Sequence, residues 1–167
     1  MDGPDGTLSN DQNISGLWPK IQACDGKLFV AFIENMYLYV KEYNGNDDSP
    51  QWLTLSNPGY GQVQYASLGC YDNKLYAGIV DLTSLYVLYW DKYSNSWFDT
   101  GIMKPGYYIE FATVGSYLYA VHEYSGVIYA SRHSGSMNWD DAEGSLNDPS
   151  GQGINDKINT VRNPKVA

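Results

Sequence analysis

Three acidic side chains recur near the end of the second predicted strand, Glu34 and Asp81 in register and Glu123 one position short, and could accept hydrogen bonds from a ligand. Glu34 and Asp81 lie 47 positions apart, and Glu123 follows Asp81 by 42 positions. Carboxylates at the rim of a sheet can accept hydrogen bonds from sugar hydroxyls or bind a cation. The competing interpretation is that all three are solvated residues of turns. We predict the three acids as ligand-binding residues, and we predict no metal site from them.

Aromatic side chains form the second group of candidates, because the CH-rich faces of sugars stack on aromatic rings. Trp18 and Trp90 lie outside the register of the other tryptophans, which favours them as ligand-binding residues. Tyr107, Tyr108 and Glu110 form a dense cluster of aromatic and acidic residues that would make an amphipathic binding surface if exposed. The remaining tryptophans recur at one repeat position, and we expect them to pack between sheets: Trp52, Trp97 and Trp139.

Residues suited to catalysis are scarce. The chain contains two histidines, His122 and His133, and two arginines, Arg132 and Arg162. It has no Gly-x-Ser-x-Gly elbow and no His or Cys spacing typical of zinc sites. The oxygen-rich stretch 44–48 lacks the fixed spacing of a calcium loop. We therefore expect no catalytic residue, no metal and no cofactor.

The charge balance narrows the range of partners. The formal net charge is −9, whereas nucleic acids and anionic membranes attract basic surfaces. The sequence has no apolar run of about 18 residues, so no membrane span is predicted. The polar, acidic N-terminus is not a signal peptide. An extracellular or cell-surface location is favoured, with one glycosylation sequon at Asn13 as weak support.

The strands expected to position these residues belong to a sequence repeat that occurs three times. In each of three segments, two apolar-Tyr or apolar-Phe pairs stand ten positions apart, and a Trp follows them. Successive segments are offset by 47 and 43 residues, close to the ~40–50 residues of a four-stranded propeller blade. The paired positions that define the repeat are Leu28 and Leu38, Leu75 and Leu85, and Leu118 and Ile128.

Each segment is predicted to form a four-stranded antiparallel meander, and no stretch has a sustained helical period. Asp25-Gly26 and Asp72-Asn73 suit tight turns that need a positive φ. The first strand is expected to open at Pro19, just after Trp18. The chain is therefore predicted to be one repeat domain, 1–167, with repeats at about 8–58, 59–105 and 106–148 and the start of a fourth at 149–167.

Three repeats are too few to close a propeller ring, which usually has ~4–8 blades. The predicted fold is therefore all-β, with three four-stranded antiparallel propeller-type blades plus the start of a fourth. It would be a partial or oligomer-completed β-propeller. Association into a homo-oligomer or a larger assembly would cover exposed sheet edges and faces.

The two cysteines occupy near-equivalent places in successive repeats. Cys24 and Cys70 each lie just before a turn. Two buried free thiols are favoured over a disulfide, because no cysteine framework is evident.

Several short motifs resemble blades of the kelch-like, sialidase-like and lectin-propeller group. Leu38 to Gly45 followed by Trp52 resembles such a blade, and Tyr93 to Trp97 resembles the kelch loop into its Trp. Ser131 to Trp139 resembles a degenerate Asp-box, with His133 in place of Asp and one extra residue before the Trp. The resemblance covers nearly the whole chain and implies blade architecture. It does not assign one function, since the group includes lectins, adhesion modules, scaffolds and glycosidases.

Together these features predict a non-catalytic, lectin-like or adhesion-like module that binds a carbohydrate or protein ligand through repeated rim sites. One alternative is a structural, assembly or protein-interaction subunit whose incomplete blades associate. Another is a fragment of a secreted glycosidase propeller. The small number of arginines argues against a sialidase. A sialidase-like site would use three arginines, and the chain holds two.

Overall fold

The structure, a computed structural model, describes residues 16–46, 48–82, 84–133 and 139–141. These residues form twelve β-strands in three separate antiparallel sheets, none of them closed. The all-β prediction is confirmed. The predicted start of a fourth repeat at 149–167 lies outside the described residues.

Each sheet is a meander in which strands follow one another in chain order. Sheet A contains β1 (Leu17–Cys24), β2 (Lys27–Glu34), β3 (Tyr37–Tyr43) and β4 (Trp52–Thr54). Sheet B contains β5 (Val63–Tyr71), β6 (Lys74–Asp81), β7 (Ser84–Asp91) and β8 (Ser96–Pro105). Sheet C contains β9 (Tyr107–Val114), β10 (Tyr117–Tyr124), β11 (Val127–His133) and β12 (Trp139–Asp141).

Tight turns join the first and second strands of each sheet. Asp25 and Gly26 have φ values of 50° and 70°, and Asp72 and Asn73 have φ values of 50° and 56°. These positive values match the two-residue turns predicted there, whose twist suits antiparallel strands. We call the end of the sheets that carries these turns the lower end, and the opposite end, where the first strands begin, the upper end.

Sheet B lies between the other two sheets and buries both of its faces. Alternate side chains of a strand point to opposite faces, so a strand buried on both sides is apolar throughout. This explains the continuous apolar run of β6. Leu75, Ala77 and Ile79 pack in the core against sheet A, whereas Tyr76 and Val80 pack in the core against sheet C.

The first strands of the three sheets lie next to one another, with β5 packed between β1 and β9. Two glycines of sheet B permit its close approach to sheet C. A Cβ at Gly78 would lie 2.6 Å from Ile109 Cγ2, and one at Gly69 would lie 2.7 Å from Phe111 Cβ. Any larger side chain at either position would push the two sheets apart.

The prediction of two free thiols is wrong. Cys24, at the end of β1, and Cys70, near the end of β5, form a disulfide with a Cα–Cα distance of 5.4 Å. Cys24 lies four positions before the leucine of its repeat and Cys70 five positions before its own, so the two side chains point to opposite faces and meet between sheets A and B. The bond ties sheet A to sheet B across 46 residues of sequence.

None of the described residues belongs to a helix long and apolar enough to cross a membrane.

Candidate functional site

Two of the predicted aromatic candidates, Trp18 and Tyr108, lie at the upper end of the first strands with Tyr65 between them. The ring centroids of Trp18 and Tyr65 are 5.6 Å apart, and those of Tyr65 and Tyr108 are 5.2 Å apart. Both contacts are edge-to-face, the geometry that aromatic pairs prefer. Trp18 is 49% exposed, whereas Tyr65 is buried. We call Trp18, Tyr65 and Tyr108 the aromatic row.

The strand pairing shows that the aromatic row occupies one repeat position. The next residues on the same face of the three first strands lie two positions after the aromatic row. They are Lys20, Ser67 and Glu110. Their strand partners are Ala31, Gly78 and Val121, each three positions after the leucine that marks its repeat. Matching positions of the three sheets therefore lie close together near the upper end of the first strands.

Glu110 is the centre of a hydrogen-bond network that joins the three sheets. Its Oε1 accepts hydrogen bonds from Lys20 Nζ and from the Tyr65 hydroxyl. Its Oε2 accepts a hydrogen bond of 2.8 Å from the Ser67 hydroxyl. Lys20 Nζ also donates to the Tyr65 oxygen at 2.9 Å. We call Lys20, Tyr65, Ser67 and Glu110 the polar cluster.

Two members of the polar cluster, Lys20 and Tyr65, have raised pKa values. Burial disfavours the charged form of Lys20, but hydrogen bonds to Glu110 and Tyr65 outweigh it and raise the pKa of Lys20 above its ordinary value. Burial and the hydrogen bond to Glu110 also raise the pKa of Tyr65. Neither group titrates near neutral pH, so the pair does not suit acid–base catalysis. Its chemistry is that of a fixed scaffold of donors around one carboxylate.

A backbone irregularity positions the aromatic row. The strand register shifts between Leu17 and Lys20 in β1 and beside Tyr107 in β9. Trp18 and Tyr108 have φ values of 53° and 54°, which are unusual for bulky residues. Bulges re-aim side chains and strain of this kind concentrates at functional sites. The first strand begins at Leu17 rather than at Pro19, so Trp18 belongs to the strand and follows the repeat register.

The remaining predicted site residues, Tyr107 and the acids of the rim, differ in how far they are exposed. Tyr107 is 38% exposed at the upper end. Glu34 and Glu123 are only 2% and 7% exposed, so the structure does not place these two carboxylates on an open rim. Glu123 Oε1 instead accepts the Gly126 N–H at 2.6 Å and stabilises the β10–β11 turn.

Asp81 lies at the upper end of β6, opposite Val63 of β5 and Ser84 of β7. It is partly buried, and its Oδ1 makes no hydrogen bond with the described residues. The carboxylate lies in a different sheet from Trp18 and does not join the polar cluster.

Trp90 follows the repeat register, contrary to the sequence interpretation. In each sheet an aromatic residue near the end of the third strand pairs across the ladder with the recurring tryptophan. Trp90 is 7% exposed in the core between sheets A and B. The three ring pairs, with centroids 5.4, 5.2 and 5.1 Å apart, are Tyr43–Trp52, Trp90–Trp97 and His133–Trp139.

The recurring tryptophans also bind neighbouring sheets. Trp97 Nε1 donates to the Ser56 carbonyl, which follows sheet A, at 2.8 Å. Trp139 Nε1 donates to Thr100 Oγ1 of sheet B at 3.0 Å. These contacts agree with the expected packing role.

The oxygen-rich loop after β3 uses its side chains to hold its own backbone. Asn44 Oδ1 accepts the N–H groups of Asn46 and Gln51, and Asn46 Oδ1 accepts those of Asp48 and Ser49. These are local turn contacts typical of Asn.

Lys20 and Ser67 are not among the site residues predicted above, although a signal for them exists in the sequence. Lys20, Ser67 and Glu110 each lie eight positions before the leucine that marks its repeat, and the aromatic row lies ten positions before it. Aligning the first strands at this distance would have revealed both sets. Their convergence depends on the sheet arrangement, which spacing does not give.

No protein-family model matches the chain, and no curated protein matches it. Its function is therefore inferred from its residues and their geometry.

Proposed function

We propose that the chain is a non-catalytic, lectin-like or adhesion-like module that binds carbohydrate at the aromatic row. The observation that carries the proposal is the half-exposed ring of Trp18, set beside Tyr65 and above a polar cluster that three sheets share. An exposed indole offers a flat platform for the CH-rich face of a sugar ring.

In this proposal the polar cluster orients the platform and contributes donors at its edge. Glu110 has most of its hydrogen-bonding capacity occupied by Lys20, Tyr65 and Ser67. Lys20 keeps about a quarter of its side chain exposed and donates to a sugar hydroxyl from that side. The exposed ring of Tyr107 extends the surface at the upper end.

We also propose that sheets A, B and C are propeller-type blades, as the resemblance to the kelch-like, sialidase-like and lectin-propeller group implies. The repeat length, the meander order of each sheet and the neighbouring first strands support this. In that arrangement the first strands are the innermost ones, and the aromatic row lies on the inner wall near one mouth of the ring. The disulfide supports an extracellular or cell-surface location, because such bonds persist in oxidising surroundings.

A glycan array with the purified, disulfide-intact chain tests the carbohydrate proposal. We expect binding to a subset of glycans that Trp18→Ala weakens at least tenfold. Phe98→Ala is the matched control, since Phe98 is also an exposed aromatic residue, at 40%, but lies on the fourth strand of sheet B. Absence of binding across the array, or equal loss in both variants, would contradict the proposal.

One observation favours assembly as a second candidate function. Ile21 of β1 is 67% exposed, whereas Leu68, the equivalent residue of β5, is 5% exposed because sheet A covers it. The outer face of sheet A therefore presents an apolar residue where the repeat elsewhere has a neighbouring sheet. A second copy of the chain docked there would bury it.

Light scattering over a range of concentrations tests this second candidate. We expect a dimer or larger species that Ile21→Glu dissociates, while Gln64→Glu, an exposed change on β5, leaves the mass unchanged. A monomer at all concentrations would exclude self-assembly.

A further inference from the structure

We propose that a cleft between sheets A and B at the lower end is a second binding site, which takes a single neutral sugar ring. The ligand class rests on the proposed carbohydrate recognition, but the site does not involve the aromatic row, which lies at the opposite end of the sheets. The cleft has a volume of about 230 Å³. This is below the ~300–1,000 Å³ typical of sites for drug-sized ligands, so it suits one ring rather than a chain.

The cleft has an apolar floor and a polar rim. Phe29 of sheet A and Leu75 and Trp90 of sheet B line its interior, and the disulfide-bonded Cys24 forms part of the wall. Ring and aliphatic surfaces of this kind favour the CH-rich face of a sugar. The lysines and acids of the rim supply donors and acceptors for its hydroxyls.

Comparison of the two sheet junctions shows that the sequence leaves this space open at only one of them. At the junction of sheets B and C, Tyr71 ends β5 as Cys24 ends β1, and the Tyr71 hydroxyl donates to the Ser116 carbonyl at 2.8 Å. The Tyr71 and Tyr76 rings lie 6.2 and 5.5 Å from His133, centroid to centroid. Aromatic rings therefore occupy the junction of sheets B and C at the place that corresponds to the cleft.

A second position also differs between sheets A and B. Glu42 pairs with Phe29 across the ladder of sheet A, and Tyr89 pairs with Tyr76 at the equivalent place in sheet B. The first sheet thus carries a carboxylate where the second carries a phenol ring. Two differences between the first and second sheets, Cys24 in place of Tyr71 and Glu42 in place of Tyr89, make room and polarity at the same junction.

Three lysines and four carboxylates line the cleft, and four of these seven groups form two ion pairs. Lys92 Nζ lies 2.8 Å from Asp25 Oδ2, and Lys27 Nζ lies 2.5 Å from Glu42 Oε1. Because positive and negative groups are nearly balanced in number, the rim has little net charge to attract an ion, and its paired groups keep lone pairs or N–H groups for hydroxyls. A neutral polyhydroxylated ligand therefore fits this rim better than an anion or a cation.

Two bonds hold the walls of the cleft at a fixed spacing. The disulfide joins the walls covalently. The Lys92–Asp25 pair joins the β7–β8 turn of sheet B to the β1–β2 turn of sheet A. A preformed site loses little conformational freedom when it binds a ligand, and this favours affinity.

Binding of the methyl glycosides of glucose, galactose, mannose and N-acetylglucosamine, followed by tryptophan fluorescence and saturation-transfer NMR, tests the proposal. We expect at least one glycoside to bind, and Glu42→Tyr to weaken it at least tenfold by placing in sheet A the ring that sheet B tolerates at Tyr89. All measurements use the Trp18→Ala background, so that the aromatic row does not contribute, and Thr54→Tyr, which adds the same ring at an exposed position of β4, should leave binding unchanged. Lys92→Met, an exposed substitution, serves as a second variant should Glu42→Tyr fail to fold, and it should also weaken binding.

The outcomes separate the two sites. Glycoside binding that survives both Glu42→Tyr and Lys92→Met overturns the cleft proposal, as does absence of glycoside binding when the array shows glycans bound through Trp18. Absence of binding both to the array and to the glycosides overturns the carbohydrate function itself.

Discussion

Lys20 and Glu110 stand 90 positions apart in the chain, yet they form an ion pair that crosses the first strand of the middle sheet. Each belongs to an outer sheet, and the hydroxyls of Tyr65 and Ser67 from the middle sheet complete the contact. The pair is therefore a tie between the first and third sheets as well as a scaffold for the aromatic row.

Removal of the Lys20 charge should destabilise the fold measurably. Lys20→Met leaves the mostly buried Glu110 without its cation, and we expect a loss of about 1–2 kcal/mol in the free energy of unfolding, since partial exposure weakens the pair. Urea denaturation measures the loss. Lys27→Met, which breaks a more exposed pair with Glu42, should change stability by less than about 0.5 kcal/mol. Equal effects of both substitutions would contradict the central role of the Lys20–Glu110 pair.

Gly78 should not tolerate a methyl group. Gly78→Ala would set a Cβ 2.6 Å from Ile109 Cγ2 and force sheets B and C apart, so we expect a loss of about 1–3 kcal/mol in unfolding free energy. Gly61→Ala is the control, because its Cβ would meet Tyr37 at an ordinary 3.6 Å. The midpoint of thermal or urea unfolding distinguishes the two. A Gly78→Ala variant as stable as Gly61→Ala would show that the sheets are not closely packed there.

Reduction of the disulfide should lower stability by about 3–4 kcal/mol, because the bond closes a loop of 46 residues in the unfolded chain. Urea unfolding with and without a phosphine reductant measures the difference. The double variant Cys24→Ser, Cys70→Ser should match the reduced protein and show no response to the reductant. A wild-type protein that ignores the reductant while a thiol assay confirms reduction would refute this expectation.

Stability should decline at alkaline pH through buried tyrosines. Burial, with smaller contributions from Tyr71 and Asp72, raises the pKa of Tyr76 to about 12. A raised pKa favours the protonated phenol in the folded state. Its stabilising contribution is complete below the ordinary tyrosine pKa of about 10 and is lost as pH rises toward 12.

Urea unfolding at intervals between pH 8 and pH 11 tests this dependence. Tyr76→Phe has no proton to lose, so we expect its stability to decline less steeply than that of the wild type, by about 1–2 kcal/mol at the highest pH. Tyr93→Phe, at a site 90% exposed, should follow the wild-type curve. Identical slopes for Tyr76→Phe and wild type would contradict the assignment.

Local patterns in the sequence were enough to predict the sheets. The tight turns at Asp25-Gly26 and Asp72-Asn73, the alternation along the strands and the packing of Trp97 and Trp139 all agree with the structure. These features depend on residues within a few positions of one another or on a side chain large enough to require burial.

The candidate site depended on contacts that spacing alone does not encode. The bulge at Trp18 shifts the strand register, so its equivalence with Tyr65 and Tyr108 is hidden when the strand is taken to begin at Pro19. The disulfide requires Cys24 and Cys70 to face each other across a sheet junction. An acidic residue at the end of the second strand predicts an open rim position, yet Glu34 is only 2% exposed.

The disulfide also divides the described structure mechanically. Both cysteines of the chain are used in the bond between sheets A and B, so no disulfide adds to the backbone, the side-chain packing and the hydrogen bonds that join sheet C to sheet B. Under tension a covalent bond holds long after such contacts have separated. We therefore expect sheets A and B to respond to a pulling force as one block, and the packing between sheets B and C to separate first.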